Sequence, residues 1–460
     1  MRATTEYPAG TFASYHAYPY YPDFMVLDPG YARARSSLGP SAYFGYLREL
    51  VAHHGDMPVV ISEYGVPSSR GNAHLQPQGW NHGGHDERAQ AAINARLTRE
   101  IRESGAAGAG LFAIIDEWFK KNWLVIDFEQ PAERNRLWLN TLDAEQNYGV
   151  LAMRAGHRDS VITIDGSADD WRARPHLYGG QPAASLPAPL RLRALSIAHD
   201  PAYVYLRIDV DSIDWARGRY LVGIDTYDPA RGDRILPFTG TRSPTGLEFV
   251  LDLRGPQDSR LLVDGPYLPY RRRAIAGARP ATSMTLYNPP FQSIANADGR
   301  YDTLVVSVNR RRIGRDGTVY PEQLVDRNLL RHARQQESTL ADWYADPARG
   351  VIEVRIPWGM LHVLDPSSHQ VLHGSTGSPY PAGRATDGFR FVVQSYDPRA
   401  PRRGGDVLPR RARDARGDAS STPFAMPPLW TWPAWEQPQW HEQRKPLFDA
   451  MRQAFGEMPW

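Results

Sequence analysis

Apolar residues along the first 125 positions switch between two periods. Residues 11–18 read as a strand that enters a loop rich in proline and tyrosine. Residues 41–54 place Tyr43, Leu47, Leu50 and Val51 at helical spacing. Residues 57–62, Met-Pro-Val-Val-Ile-Ser, are a short, β-branched, continuously apolar run of the kind buried on both faces of a sheet. Helical period returns through Ile93, Leu97 and Ile101 within residues 86–103, and Ser104-Gly-Ala-Ala-Gly ends it. Residues 111–115 read as a third buried strand. Strand, helix, strand, helix, strand predicts parallel βαβ units, whose functional groups collect at the C-terminal ends of the strands.

Around residues 147–165 the pattern changes, and from there to about 397 it predicts short strands punctuated by Gly, Pro and Asp. Examples begin at Tyr203, Tyr220, Val351 and Phe389. That is the pattern of an all-β sandwich. Residues 255–348, rich in Arg, Pro and Asn, are expected to form a long insertion on it. Residues 399–426 read as a polar, Arg-rich linker. Residues 427–460 hold five tryptophans and read as a docking segment, with a short amphipathic helix over 440–455. The expected domains are therefore 1–146, 147–398, the linker and the docking segment.

Composition narrows the classes of function. An apolar fraction of 42% with 23% charged residues describes a globular chain. A net charge of +2 supplies no global attraction to nucleic acid or anionic membrane. The basic residues are nearly all arginine; the lysines are Lys120, Lys121 and Lys445, and the bias reads as codon usage. With no cysteine, disulfides, thiol catalysis and cysteine-based metal sites are excluded. No apolar run reaches the roughly 18 residues a membrane span needs, and residues 1–6 lack the apolar core of a signal peptide. His74, His82 and His85 lie in a glycine-containing loop whose spacing fits no zinc motif, so the loop reads as a sugar subsite and no metal and no cofactor are expected.

The strongest chemical signal is Val59-Val-Ile-Ser-Glu63-Tyr-Gly-Val-Pro-Ser-Ser, a carboxylate directly after an apolar strand. Either Glu63 caps a turn at the surface, or it is a nucleophile at the functional edge of a parallel sheet. After the third strand, Asp116, Glu117, Trp118 and Lys120 crowd one loop. An indole there would stack on a sugar ring while carboxylate and ammonium bind hydroxyls; alternatively Glu117 and Lys120 pair and Trp118 packs between the expected barrel and sandwich. His16 and Tyr18 follow the first strand, where they either orient the nucleophile or serve the framework.

The segment around Glu63 resembles the nucleophile motif of glycoside hydrolase family 17, through Ser62, Glu63, Gly65, Pro67 and Ser68. Tyr18-Pro-Tyr-Tyr is similar to that family's turn after the sixth strand, and Phe112-Ala-Ile-Ile-Asp-Glu-Trp-Phe-Lys to its eighth-strand segment. Family 2 barrels of the same clan share parts of the pattern. The resemblance covers residues 11 to about 125. It implies the last three βα units of a TIM (β/α)8 barrel, that is, α/β followed by an all-β sandwich. It further implies Glu63 as catalytic nucleophile, with His16, Tyr18, Tyr64, Glu117, Trp118 and Lys120 around a β-glucan-like polysaccharide or oligosaccharide. The acid/base glutamate of this clan follows an earlier strand, so the chain is expected to be a C-terminal fragment of a secreted or cell-envelope protein.

Ile162-Thr-Ile-Asp-Gly-Ser-Ala-Asp-Asp-Trp171, Ala198-His-Asp-Pro-Ala-Tyr-Val-Tyr-Leu and Glu353-Val-Arg-Ile-Pro-Trp358 resemble framework segments of carbohydrate-binding module family 9. Trp171 and Trp358 are expected in the core, with Trp215, Tyr227 and Trp343 as candidate sugar-stacking residues. The function expected is retaining cleavage or transfer of a β-glucan-like chain, without nucleic-acid partner or membrane segment. The alternative is a non-catalytic carbohydrate-binding or structural protein.

Overall fold

The computed structural model describes residues 4–274, 283–287, 291–375, 381–411 and 422–457. It divides into two compact units: unit 1 is Met1–Leu124, Thr141–Arg154 and His441–Trp460, and unit 2 is Val125–Asn140 and Ala155–Trp440.

Unit 1 contains the predicted βαβαβ order. Strand β1 (Ala13–His16), helix α1 (Ala42–His54), strand β2 (Val59–Tyr64), helix α2 (Glu87–Glu103) and strand β3 (Gly108–Leu111) build a parallel sheet in the order β1-β2-β3. Ser41 caps α1 by accepting from Phe44 N at 3.0 Å, and Asp86 caps α2 by accepting from Ala89 N at 2.8 Å. Ile61, Leu47, Leu97 and Ile101 meet in one buried cluster with Tyr43 and Tyr64. A third helix, α3 (Pro446–Gly456), lays Leu447 and Met451 against Ala91 of α2. It is shorter than the 440–455 expected, because residues 440–444 form a strand instead.

The third strand lies earlier than its apolar run suggests. Gly110 sits where an added Cβ would lie 2.6 Å from the Ser62 carbonyl, so small residues let β3 approach β2. Ile114, within the expected strand, is 75% exposed.

The expectation of part of a (β/α)8 barrel is overturned. The parallel strands stop at a three-stranded open sheet, the remaining strands fall into many small sheets, and the described residues are 34% strand against 19% helix, mainly β-sandwich-like. Periodicity reports that strands are parallel and covered by helices, but carries no term for closure, which depends on strand number and shear.

Unit 2 holds two main antiparallel sheets. The strands of these two sheets are β4 (His176–Gly179), β5 (Leu192–His199), β6 (Tyr203–Val210), β7 (Arg219–Asp225), β8 (Phe249–Leu253), β9 (Arg260–Asp264), β10 (Tyr301–Asp302), β11 (Trp343–Asp346), β12 (Val351–Pro357), β13 (Arg390–Tyr396) and β14 (Val407–Leu408). One sheet runs β11-β12-β6-β5-β4 and the other β10-β9-β8-β7-β13-β14. Residues 255–348, expected as an insertion, thus contribute β9, β10 and β11; residues 275–282 and 288–290 lie outside the described residues. So do 412–421 of the expected linker, whose described flanks include β14 and the buried Phe424.

The central strands are buried on both faces. Leu221, Val250, Leu262 and Val392 cluster with Leu236, Leu247 and Phe424, which cover one face of the second sheet. Glu353 of β12 accepts from the Trp171 indole at 2.7 Å and from Asp165 N and Gly166 N at 3.0 and 2.6 Å. This joins two of the segments singled out in the sequence. Trp171, Trp343 and Trp358 are buried, so of the three sandwich aromatics proposed for sugar stacking Trp343 is removed.

Four carboxyls, Asp225, Asp233, Glu248 and Asp264, are fully buried in unit 2. Asp264 accepts from Asn296 Nδ2 at 3.2 and 3.0 Å. Burial, followed by the negative neighbours Asp233 and Asp298, pushes it up to about 8 against the Asn296 bond. A carboxyl raised in the folded state stabilises the fold at acid pH and loses that contribution as pH rises toward about 8. Asp264→Asn is therefore expected to raise the melting temperature of unit 2 at pH 8.5, with the gain shrinking toward zero near pH 4. Equal gains at both pH values would show that Asp264 does not titrate in this way.

Candidate functional site

The C-terminal edge of the parallel sheet gathers the charged and aromatic side chains. Glu63, next to last in β2, pairs across from His16, the last residue of β1. Glu63 Oε2 accepts from the Tyr18 hydroxyl at 3.0 Å and lies 3.1 Å from His16 Nδ1. The Glu63 side chain is 33% exposed and that of His16 63%, so the carboxylate is held and still reachable from solvent. Burial first, then the Glu63 charge, keeps the Tyr18 phenol protonated far above its ordinary range, and so a donor.

The backbone around Glu63 is fixed from the helices. Tyr43 of α1 donates to the Ala17 carbonyl at 2.9 Å, which sets the turn carrying Tyr18. Asn94 of α2, fully buried, accepts from Val66 N at 2.8 Å and donates to Val66 O at 3.2 Å. Between them Gly65 adopts φ +147, with its Cα facing the Phe112 carbonyl so closely that a Cβ would lie 2.9 Å from it. Only glycine turns the chain there without strain.

The other residues expected at the site separate into two groups. Glu117 and Lys120 pair at 3.7 Å, and the Lys120 ammonium sits 4.8 Å over the Phe112 ring. Tyr64 and Trp118 turn inward. Tyr64 is fully buried, hydrogen-bonded to Thr98 Oγ1 at 2.6 Å, and Trp118 is 2% exposed and donates to the Met153 carbonyl at 3.2 Å. Neither offers a face to a saccharide; their apolar bodies complete the packing of unit 1.

The histidine loop and aromatic residues from distant positions fill the rest of the edge. Tyr20 stacks on His82 at 4.4 Å and 7°, with the His74 ring nearly parallel to His82 at 5.9 Å and Trp123 tilted against His74 at 6.0 Å. Tyr21 and Trp123 are 61% and 44% exposed. His82 is buried, and burial holds its imidazole down to about 3, hence neutral. Glu145 accepts from Asn122 at 3.2 Å, and burial raises its carboxyl above the ordinary range against Asn122 and Lys120. Both Glu145 and Glu117 act electrostatically on the Tyr18 hydroxyl. The histidine-rich loop was visible as a cluster, but its aromatic partners come from distant positions. No group of three or more His, Asp or Glu among the described residues is arranged to hold a metal, and no helix among them is long and apolar enough to cross a membrane.

Beneath the edge lies a buried ion pair. Lys445 Nζ donates to Asp116 Oδ1 at 2.6 Å, to Asn147 O at 3.1 Å and to Ser68 Oγ at 3.2 Å, and both charged side chains are 1% exposed. Asp116 also accepts from Gly149 N at 3.0 Å and Asn147 Nδ2 at 3.2 Å.

Compared with known proteins, the chain matches no family model and no curated sequence. The chemistry of the edge therefore rests on its own geometry: an oriented carboxylate, neutral hydrogen-bonding groups and exposed aromatic rings.

Removing one member of a buried pair strands the other charge and costs roughly 3–5 kcal/mol. Lys445→Met is expected to destabilise unit 1 by an amount in that range in chemical denaturation. Asp116→Leu combined with Lys445→Met should recover part of the loss. A single variant as stable as the parent would remove the pair from its structural role.

Proposed function

We propose that unit 1 binds a β-glucan-like saccharide along the C-terminal edge of its parallel sheet and that Glu63 is the nucleophile of a retaining cleavage or transfer. The observation that carries this reading is the Glu63 carboxylate, reachable from solvent and oriented by the Tyr18 hydroxyl and His16 Nδ1. A glycosidic nucleophile needs that combination: one oxygen held by donors and the other free to approach the anomeric carbon. In this step the Glu63 oxygen forms an ester to the anomeric carbon as the bond to the leaving oxygen breaks and that oxygen takes a proton from water, which is left as hydroxide. Water or a sugar hydroxyl then displaces Glu63. Exposed Tyr21 and Trp123 supply the flat apolar surfaces on which pyranose rings stack. The resemblance of residues 59–69 to family 17 supports the same assignment.

A second reading, saccharide binding without cleavage, has one observation in its favour. Retaining cleavage uses a second carboxyl about 5 to 5.5 Å from the first to protonate the leaving oxygen. The carboxyls that act on Tyr18 besides Glu63 are engaged, Glu117 with Lys120 and Glu145 with Asn122.

A fluoride leaving group needs no proton donor, so 2-deoxy-2-fluoro-β-glucosyl fluoride separates the two readings. The catalytic reading expects a covalent glycosyl ester on Glu63 by peptide mass spectrometry, absent from Glu63→Gln, with turnover of an aryl β-glucoside lowered by roughly 10⁴-fold or more in the variant. Saccharide binding without any adduct would favour the second reading. Neither binding nor adduct would defeat both.

A further inference from the structure

Between β10 and β11 the chain of unit 2 makes a hairpin that neither main sheet absorbs. Val305–Asn309 pairs antiparallel with Gln323–Asp326, and pairing resumes further out in Arg312–Ile313 with Val319–Tyr320. Its root is apolar and covered: Leu304, Val306 and Val308 are buried. Its end is closed by Gly314 N donating to Thr318 O at 2.8 Å and Gly317 N donating to Gly314 O at 3.0 Å. Residues 315–319 are all exposed.

Two kinds of side chain meet at this end. Ile313 and Val319 are directly paired across the strands and are 62% and 50% exposed. Paired positions put their side chains on one face, so two aliphatic groups stand together in water where polar residues would serve the turn as well. Around them, residues 310–320 hold four arginines, Arg310, Arg311, Arg312 and Arg315, against one carboxylate, Asp316. That carboxylate is taken up by its own turn, accepting from Thr318 N at 3.0 Å and from Thr318 Oγ1 at 2.8 Å. Arg310 and Arg315 are exposed, and neither forms an ion pair among the described residues. A second hairpin, Tyr270–Ala274 with Ser283–Tyr287, lies against the Val305–Asn309 strand, and its first strand carries Arg271, Arg272 and Arg273. Two stretches separated in sequence thus place arginine in one region of unit 2.

A net charge of +2 over the whole chain gives no global attraction. Screening, however, limits attraction between exposed charges to about 8 Å at physiological salt, so the local excess at the hairpin end decides what it meets. That excess selects an anionic partner. The exposed apolar groups there are aliphatic, which disfavours single-stranded nucleic acid, whose bases stack on aromatic rings. A stable protein interface buries roughly 800 Å² a side, more than a short exposed turn offers. A bilayer needs no shaped counterpart: aliphatic side chains enter its interfacial layer while guanidinium groups meet lipid phosphates. We propose that the 310–320 hairpin docks on an anionic lipid surface, with Ile313 and Val319 entering the headgroup layer and Arg310 and Arg315 bound to its phosphates.

The test is co-sedimentation of the full chain with vesicles of phosphatidylcholine alone and of phosphatidylcholine mixed with phosphatidylserine, at low and at physiological salt. Binding is expected to the mixed vesicles only, and weaker as salt rises. Arg310→Gln combined with Arg315→Gln should weaken it roughly 20- to 30-fold, about fivefold for each charge removed from an anionic surface. Ile313→Ser combined with Val319→Ser should weaken it roughly tenfold or more, the effect of withdrawing a few CH₂ groups from the membrane. All four positions are exposed, so melting curves matching the parent are expected and establish the fold before binding is read. Binding to neither kind of vesicle, or equally to both, would overturn the proposal. So would binding that Ile313→Ser with Val319→Ser leaves unchanged, since the arginines alone would then make a general polyanion contact.

Discussion

The buried pair of Lys445 and Asp116 is the constraint on which unit 1 depends. It brings together Asp116 after β3, Ser68 after β2, the turn at Asn147 and Gly149, and the residue that precedes α3. Two full charges out of water are stable together only when the remaining donors and acceptors are also met, and here the ammonium has three acceptors and the carboxylate three donors. The segments so tied are far apart in sequence, up to 377 residues between Ser68 and Lys445. Loops after two of the parallel strands are thereby held at fixed positions, which is the condition for a site built on those loops.

What stands on that base is an edge where three strand ends place their side chains side by side. Glu63 is presented by β2, His16 and Tyr18 by β1 and the turn after it, and Glu117 and Lys120 by the loop after β3. Helices α1 and α2 do not contribute groups to the edge; Tyr43 and Asn94 fix its backbone from below. Such division of labour, rigid hydrogen bonds behind and exposed groups in front, gives a carboxylate a defined direction without shielding it from a ligand.

Unit 2 works under a different constraint. Its central strands are buried on both faces, so polar side chains within them have to be satisfied inside. Glu353 meets three N–H donors and Glu248 is bonded to Thr226 and Ser293. The segment carrying Trp430 and Trp432 packs on Phe389, and the stretch through Trp435 closes one side of a cavity beside His199.

Much of the local structure was legible in the chain. Apolar spacing located α1, α2 and β2 to within a residue or two and put Glu63 at the end of β2, because strand ends and apolar periodicity are local properties. Closure of a sheet is not local, and the barrel expected from those units gave way to an open three-stranded sheet. Trp118 and Tyr64 looked like sugar contacts since residue type carries no information about which way a side chain turns. Lys445 looked like compositional noise because its partner Asp116 lies 329 positions away. By itself the sequence determined helices, strands, a carboxylate at a strand end and the absence of thiol chemistry. Tertiary structure alone decided which groups are buried, which charges pair and where cavities open, since burial and long-range pairing depend on segments that meet only after folding.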